Sequence, residues 1–312
     1  MTAKVSVIMP VERLGGEAER AIASVLQQEA PFPFELIIVS GVALPPHPDN
    51  RVRNVVEANR NPATRRNRAV SIATGQLLAF IDDDATADPA WLATAAAWLD
   101  AHPDVLALGG PDPAPADSTL SELISETLLA TPLIGSGVAC HENRRGIFPV
   151  RAASDVALVN LFVRRAAFRG FDEAIGYIGE DTALLEGLLP HVVYHSGVQV
   201  YHRRRAFPGP YLRQRWRYRV KTGEMMMRGS RTHRSKKVQL FLVAGTFAIL
   251  FAPLVAIPYY LLTFLLAART TRLPMRYWPM LPLAFAMHHA VYYFGIVSGA
   301  VKAKGSRLTV DG

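Results

Sequence analysis

Leu77-Leu78-Ala79-Phe80-Ile81-Asp82-Asp83-Asp84 is the stretch whose reading decides the fold. Five apolar residues of strand type run straight into three carboxylates, which reads as a buried strand ending at a charged loop. Upstream, Val5–Met9 predicts a short strand closed by Pro10, and Glu17–Gln28 carries Ala18, Ala21, Ile22, Val25 and Leu26 at helical spacing. Phe34–Val39 predicts a second buried strand, followed by a proline-rich loop over 43–48. Pro62–Thr74 predicts a helix, with proline at its start and Gly75 just past its end. Downstream come a helix over Pro89–Leu99 and a strand over Val105–Gly109. Strands alternating with helices predict an α/β domain with a mostly parallel sheet covered on both faces. Such sheets bind ligands at the carboxyl ends of their strands, and the aspartates stand at such an end.

Three adjacent carboxylates after a buried strand are costly unless something positive sits among them. Asp82 and Asp84 are separated by one residue, so they can converge on a cation that also holds a diphosphate. Magnesium or manganese suits oxygen ligands of this kind. The plainer alternative is an acidic loop, with Asp88 capping the next helix. A second pair, Glu180–Asp181, follows Gly176-Tyr177-Ile178-Gly179 and opens a helical stretch over Thr182–Leu189. Alone, it is the ordinary acidic start of a helix; a base that deprotonates a hydroxyl has the same form. Within Tyr211–Arg219, Gln214, Arg217 and Tyr218 share one helical face. Arginine grips phosphate and aromatics stack on sugar rings, although a basic amphipathic helix lying on lipid headgroups has the same pattern.

The 312 residues carry 34 Lys+Arg against 26 Asp+Glu, and the net charge of +8 is unevenly spread. Residues 1–200 are acidic at −9, residues 201–237 form a basic collar of +12, and residues 238–312 add +5. Disorder of the whole chain is excluded by a hydrophobic content of 50%, and the single Cys140 excludes a disulfide framework within the chain. No residue is charged from Val238 to Ala268 or from Tyr277 to Val301. Uncharged runs of this length read as membrane segments, two or three in number, with Pro253 and Pro258 able to break the first into a hairpin. Met1–Met9 lacks the form of a signal peptide, so the acidic part is expected on the cytoplasmic side of the inner membrane in a multi-pass chain. The collar then meets anionic headgroups, with membrane lipids as partners and no nucleic acid. The expected organisation is a catalytic domain over 1–200, a collar over 201–237 and a membrane region over 238–312.

Together these residues resemble the family 2 glycosyltransferases of GT-A fold, inverting enzymes that use nucleotide sugars. The resemblance spans roughly residues 4–222. It rests on Val5–Pro10, Ser24–Gln28, Glu35–Val39, Arg66-Asn67, Ala73–Gln76, Phe80–Asp84, Phe171–Glu173, Gly179–Asp181, His202 and Gln214–Tyr218 in that order. The apolar tail, with His288-His289 and Tyr292–Gly299, looks like that of bacterial membrane-associated members that build exopolysaccharides or lipid-linked glycans. The resemblance implies a Rossmann-like GT-A domain followed by C-terminal transmembrane helices. It implies Mg2+ or Mn2+ held by Asp84 directly, with Asp82 nearer the ribose or sugar. It implies Asp181 as the base for the acceptor hydroxyl, with Glu180 beside it, and Gln214, Arg217 and Tyr218 as a Q-x-x-R-W element with Tyr in place of Trp. Arg217 then holds the diphosphate. His202 is either a further metal or diphosphate contact or a solvated collar histidine, and Arg66 either a second phosphate contact or a surface salt bridge. Ser40 stands where the family has an aspartate against the nucleotide base, so a UDP-sugar is a default donor. A glycan or lipid-linked acceptor follows from the tail.

Two other classes compete. Asp82–Thr86 also fits the D-x-D-x-T element of haloacid-dehalogenase-like phosphatases, but those need a later lysine and none lies between Lys4 and Lys221. A non-catalytic sugar-nucleotide-binding membrane scaffold would keep the same donor residues without using Asp181.

Overall fold

The computed structural model describes residues 3–134, 138–175, 178–228 and 236–308. Gly176 and Tyr177 of the Gly-rich stretch, and residues 229–235 of the collar, lie outside the described residues. The chain divides into two compact units, one of residues 1–115 and 138–203, the other of residues 116–137 and 204–312.

The first unit contains β1 (Val5–Val11), α1 (Gly16–Leu26), β2 (Phe34–Ser40), β3 (Val52–Val56), α2 (Pro62–Ile72), β4 (Leu77–Phe80), β5 (Ala85–Ala87), α3 (Trp91–Ala101) and β6 (Ala107–Gly109). The second unit begins with α4 (Leu120–Ala130). The chain then returns to the first unit for β7 (Ile147–Pro149), β8 (Leu161–Arg164), α5 (Glu180–Glu186), β9 (Val192–His195) and β10 (Val200–His202). Eight strands form one sheet in the order β3-β2-β1-β4-β8-β6-β9-β7. The β3-β2-β1-β4 half is parallel, whereas β8 runs antiparallel to both β4 and β6, so the sheet is mixed.

Both faces of the central strands are buried. Val5, Val7, Met9 and Val11 of β1 pack with Leu36, Ile38, Leu77, Ala79, and the α1 and α3 residues Ile22, Trp91 and Leu92. Ile8, Ile37, Val39, Leu78 and Phe80 face the other way, onto Ala63 and Ala69 of α2 and Leu184 and Leu185 of α5. This two-residue alternation, apolar on both sides, explains why the strands read as continuous hydrophobic runs.

Pro10 does not close β1. The strand continues to Val11, and Pro10 lies opposite Val39. The Ile8 carbonyl accepts from Ile81 on the β4 side, and Pro10 points the same way two residues on, where pairing with β4 has ended. Its missing N–H therefore costs the ladder nothing.

The second unit is helical. To α4 it adds α6 (Gly209–Arg228), α7 (Lys236–Phe251), α8 (Pro253–Thr270) and α9 (Leu281–Leu308). Helix α4 falls inside the block 1–200 yet folds with this unit, because Ile124, Leu128 and Leu129 pack with Tyr211, Ala267, Leu281 and Phe285. Glu126 lies 2.7 Å from the Arg204 Nε, both buried. This collar arginine is thus a core ion pair and not a headgroup contact. The run 238–268 breaks at Ala252-Pro253, while Pro258 is accommodated inside α8. Among the described residues two stretches are long and apolar enough to cross a membrane, Pro253–Thr270 and Met275–Lys304.

Candidate active site

The aspartates leave β4 at its carboxyl end and enter β5, which pairs antiparallel with β10. The register sets His202 opposite Ala85, and this places the imidazole Nε2 3.2 Å from Asp84 Oδ1. His202 is therefore a neighbour of the triplet. The same β10 strand straps the segment after β6. Val200 and His202 donate backbone N–H groups to the carbonyls of Pro111 and Pro113, at 3.3 and 2.9 Å.

Asp112, between those prolines, is fully buried. One of its oxygens lies 3.6 Å from His202 Nδ1 and the other 3.0 Å from His141 Nδ1. Sequence reasoning missed both Asp112 and His141. The signal for Asp112 was present: it follows β6, whose carboxyl end lies on the same sheet edge as that of β4, because β8 runs antiparallel to both. Nothing in sequence spacing marks His141.

Asp82 turns the other way. Its Oδ1 lies 2.9 Å from the Arg66 Nη2, and the Arg66 Nη1 lies 3.2 Å from Glu180 Oε1. Arg66 is buried on α2, so it is neither a surface salt bridge nor a solvated guanidinium; its Nε has no hydrogen-bond partner among the described residues. It draws three distant segments together, α2, the triplet and α5. Glu180 is buried against it, and burial, then the neighbouring Asp181 charge, push its carboxyl up to about 6 despite Arg66.

Gly179 caps α5 with φ of 101°, a left-handed conformation for which glycine carries no Cβ penalty. Asp181 follows in the first helical turn, partly exposed; Oδ1 accepts from its neighbour Thr182 N–H at 2.7 Å, and among the described residues only that oxygen is engaged. Asp83 accepts from the Glu12 amide at 3.2 Å. Burial, and secondarily the charges of Asp84 and Asp82, push it up to about 6. Beside it Arg13, Gly15, Gly16 and Glu17 line an open depression of about 250 Å3. Ser40 is buried, and its hydroxyl donates to the Val42 carbonyl at 2.5 Å.

The donor set fits a divalent cation. Asp84 supplies carboxylate oxygen and His202 imidazole nitrogen, a mixture that suits manganese better than a purely soft site would. Asp82 is already committed to Arg66. Gln214, Arg217 and Tyr218 lie on α6 of the second unit; Gln214 is half-buried, the other two are exposed, and the Arg215 guanidinium lies 5.2 Å from the centre of the Tyr218 ring.

The family model described as glycosyl transferase family 2 matches residues 6–154. Residues 6–154 thus match the family 2 glycosyltransferases, and the first unit is an α/β unit of GT-A type. A curated relative, the glucosyl-dolichyl phosphate glucuronosyltransferase of Haloferax volcanii, is 37% identical over 62 residues, about 20% of each chain. The matched part thus spans about a fifth of that relative's length. Among solved structures, S. aureus TarS 1–349 aligns at 16% identity with a TM-score of 0.48, covering 95% of this chain and 90% of that one. The mannosyltransferase PcManGT of Pyrobaculum calidifontis, solved with GDP-Man and Mn2+, aligns at 18% identity with a TM-score of 0.47, covering 99% and 76%.

Proposed function

We propose that this chain is a glycosyltransferase that inverts the anomeric centre of a nucleotide-diphosphate sugar as it transfers the sugar to a hydroxyl of a lipid-linked or growing glycan. The work is done at the cytoplasmic face of a membrane. The observation that carries the reading is the pairing of Asp84 with His202 at the strand ends, joined through Asp82, Arg66 and Glu180 to the helix start that presents Asp181.

When bound by Asp84 and His202, Mg2+ or Mn2+ supplies positive charge for the diphosphate leaving group. Asp181 accepts the proton of an acceptor hydroxyl as its oxygen attacks the anomeric carbon and the bond to the diphosphate breaks on the opposite face. Glu180 and Arg66 hold the start of α5 against Asp82, so the base and the donor end keep a set relation. The Q-x-x-R-Y element carries Arg217 as the diphosphate grip on the strength of the sequence resemblance. A UDP-sugar remains the default donor by family resemblance alone; the Ser40 hydroxyl donates to the Val42 carbonyl and offers no charge to a nucleotide base. The lipid-linked acceptor is supported by the apolar second unit and by the dolichyl phosphate named in the Haloferax relative's activity.

The experiment is calorimetric titration of the detergent-purified chain with a panel of UDP- and GDP-sugars, with and without Mn2+. Binding that requires the metal and vanishes in Asp84→Ala is expected. Donor binding indifferent to both would refute the site.

A further inference from the structure

The sequence treats 277–301 as a membrane-crossing run, but the second unit lays a basic helix along it. The Tyr211 hydroxyl lies 2.8 Å from His288 Nδ1, and the Arg219 guanidinium lies 4.3 Å from the centre of the Tyr292 ring. A Cβ on Gly223 would meet the Ile296 carbonyl oxygen at 2.1 Å, and one on Gly299 the Val220 carbonyl oxygen at 1.9 Å. Near the far end, Glu224 lies 3.5 Å from Lys302. The partners climb both helices together, so α6 and α9 run parallel, backbone against backbone, from His288 to Lys302, the second half of the apolar stretch. Glycines allow this approach, as small residues do wherever helices pack closely.

Arg213 and Arg217 lie between Tyr211 and Val220 on α6, and both are exposed. Arg213, just past the level of His288, stands beside the middle of the uncharged run, and Arg217 lies between that level and Gly299. Were α9 to cross a bilayer, the Arg213 guanidinium would be carried to the hydrocarbon centre. Snorkelling relieves arginines near the ends of a span, not there.

Helix α8 follows from this packing. Because α9 lies along α6, the chain between them cannot cross a bilayer an odd number of times, so α8 cannot cross alone; its exposed Leu254, Val255, Ile257, Leu261, Leu262 and Leu265 are then free to enter the leaflet while Thr263 and Ala267 turn inward. Helix α7, with 16 residues, is shorter than the ~20 needed to span and is broken from α8 at Ala252-Pro253.

We infer that the second unit is monotopic: α8 and α9 lie in one anionic leaflet without crossing it, and the arginines of α6 stay in the headgroup layer. This rests on the membrane association proposed above. It makes the loop after α8 and the end of α9 share the face of the catalytic unit. Two crossings would put the loop on the opposite face, and three would put the end of α9 there.

The test uses full-length chain in a Cys140→Ser background, carrying Met275→Cys, Lys304→Cys or, as a reference on the first unit, Glu29→Cys. Inverted membrane vesicles are treated with a membrane-impermeant maleimide. Equal labelling of all three without permeabilisation is expected. Labelling of either Met275→Cys or Lys304→Cys only after permeabilisation overturns the inference and leaves the membrane reading standing. A chain that does not sediment with the vesicles overturns both.

Discussion

Arg66→Met removes the one guanidinium that joins Asp82 to Glu180, and its consequence can be worked from the geometry. Breaking a buried ion pair by removing one partner costs about 3–5 kcal/mol. Asp82 is 34% exposed at its side chain, so water takes over much of its share and that arm is worth closer to a surface pair, about 0–1 kcal/mol. Glu180 is 8% exposed and has no such relief. The loss is therefore at the low end, about 3 kcal/mol, and a unit of this size melts about 2–4 °C lower per kcal/mol, giving a fall of roughly 6–12 °C. The sign with pH follows from Glu180. Burial already holds its folded-state carboxyl up to about 6 against an ordinary 4.5, so its contribution is intact below the unfolded value and is lost as pH rises through about 6. Arg66 opposes that rise, and without it the carboxyl goes higher still. The variant should therefore lose more at pH 8 than at pH 5.5, where Glu180 is mostly neutral in both proteins and only Asp82 lacks its partner. Thermal melts in detergent, followed by fluorescence of the buried Trp91 and its neighbour Trp98, measure this. A fall of less than about 2 °C, or one equal at both pH values, would show that Arg66 is not holding these segments by charge.

Three further outcomes are expected. Asp181→Asn should leave donor affinity within about twofold and lower turnover by about 10²–10⁴; unchanged turnover would remove Asp181 as the base. Asp112→Asn should weaken Mn2+ binding, read by electron paramagnetic resonance, by about 10–100-fold, since the buried carboxylate orients the His202 ring from behind. Mn2+ affinity equal to the parent's would leave Asp112 with a packing role. Gly299→Leu places side-chain atoms where the Val220 backbone stands and should cost at least about 1–3 kcal/mol, seen as earlier melting of the second unit's tryptophans; an unchanged melt would mean that α6 and α9 are not in backbone contact.

The strands and helices that carry the candidate site were legible in the chain because each depends on local pattern. The apolar run before Asp82, the helical period of Glu17–Gln28 and the proline that begins α2 each follow from chemistry within a few residues. The same holds for Glu180 and Asp181 at a helix start and for Gly179 in front of them. Helix α4 was not legible. Its eleven residues, opened by a Thr119–Glu122 capping box, sit between loops, and apart from Ile134 their apolar face finds its partners on segments distant in sequence, such as Tyr211, Ala267, Leu281 and Phe285.

What the sequence determined by itself was the α/β class, the carboxylates at a strand end and the division of charge along the chain, all set by periodicity and composition. Tertiary structure alone decided which charges meet. The β5–β10 register brought His202 to Asp84 and Asp112, packing of α2 buried Arg66 between Asp82 and Glu180, and Arg204 left the basic collar for Glu126. It also set α6 along α9, which changes what an uncharged run of 25 residues means. The physical reason is the same in each case. A hydrophobic run states that its residues leave water, but whether they leave it for lipid or for another helix depends on neighbours distant in sequence.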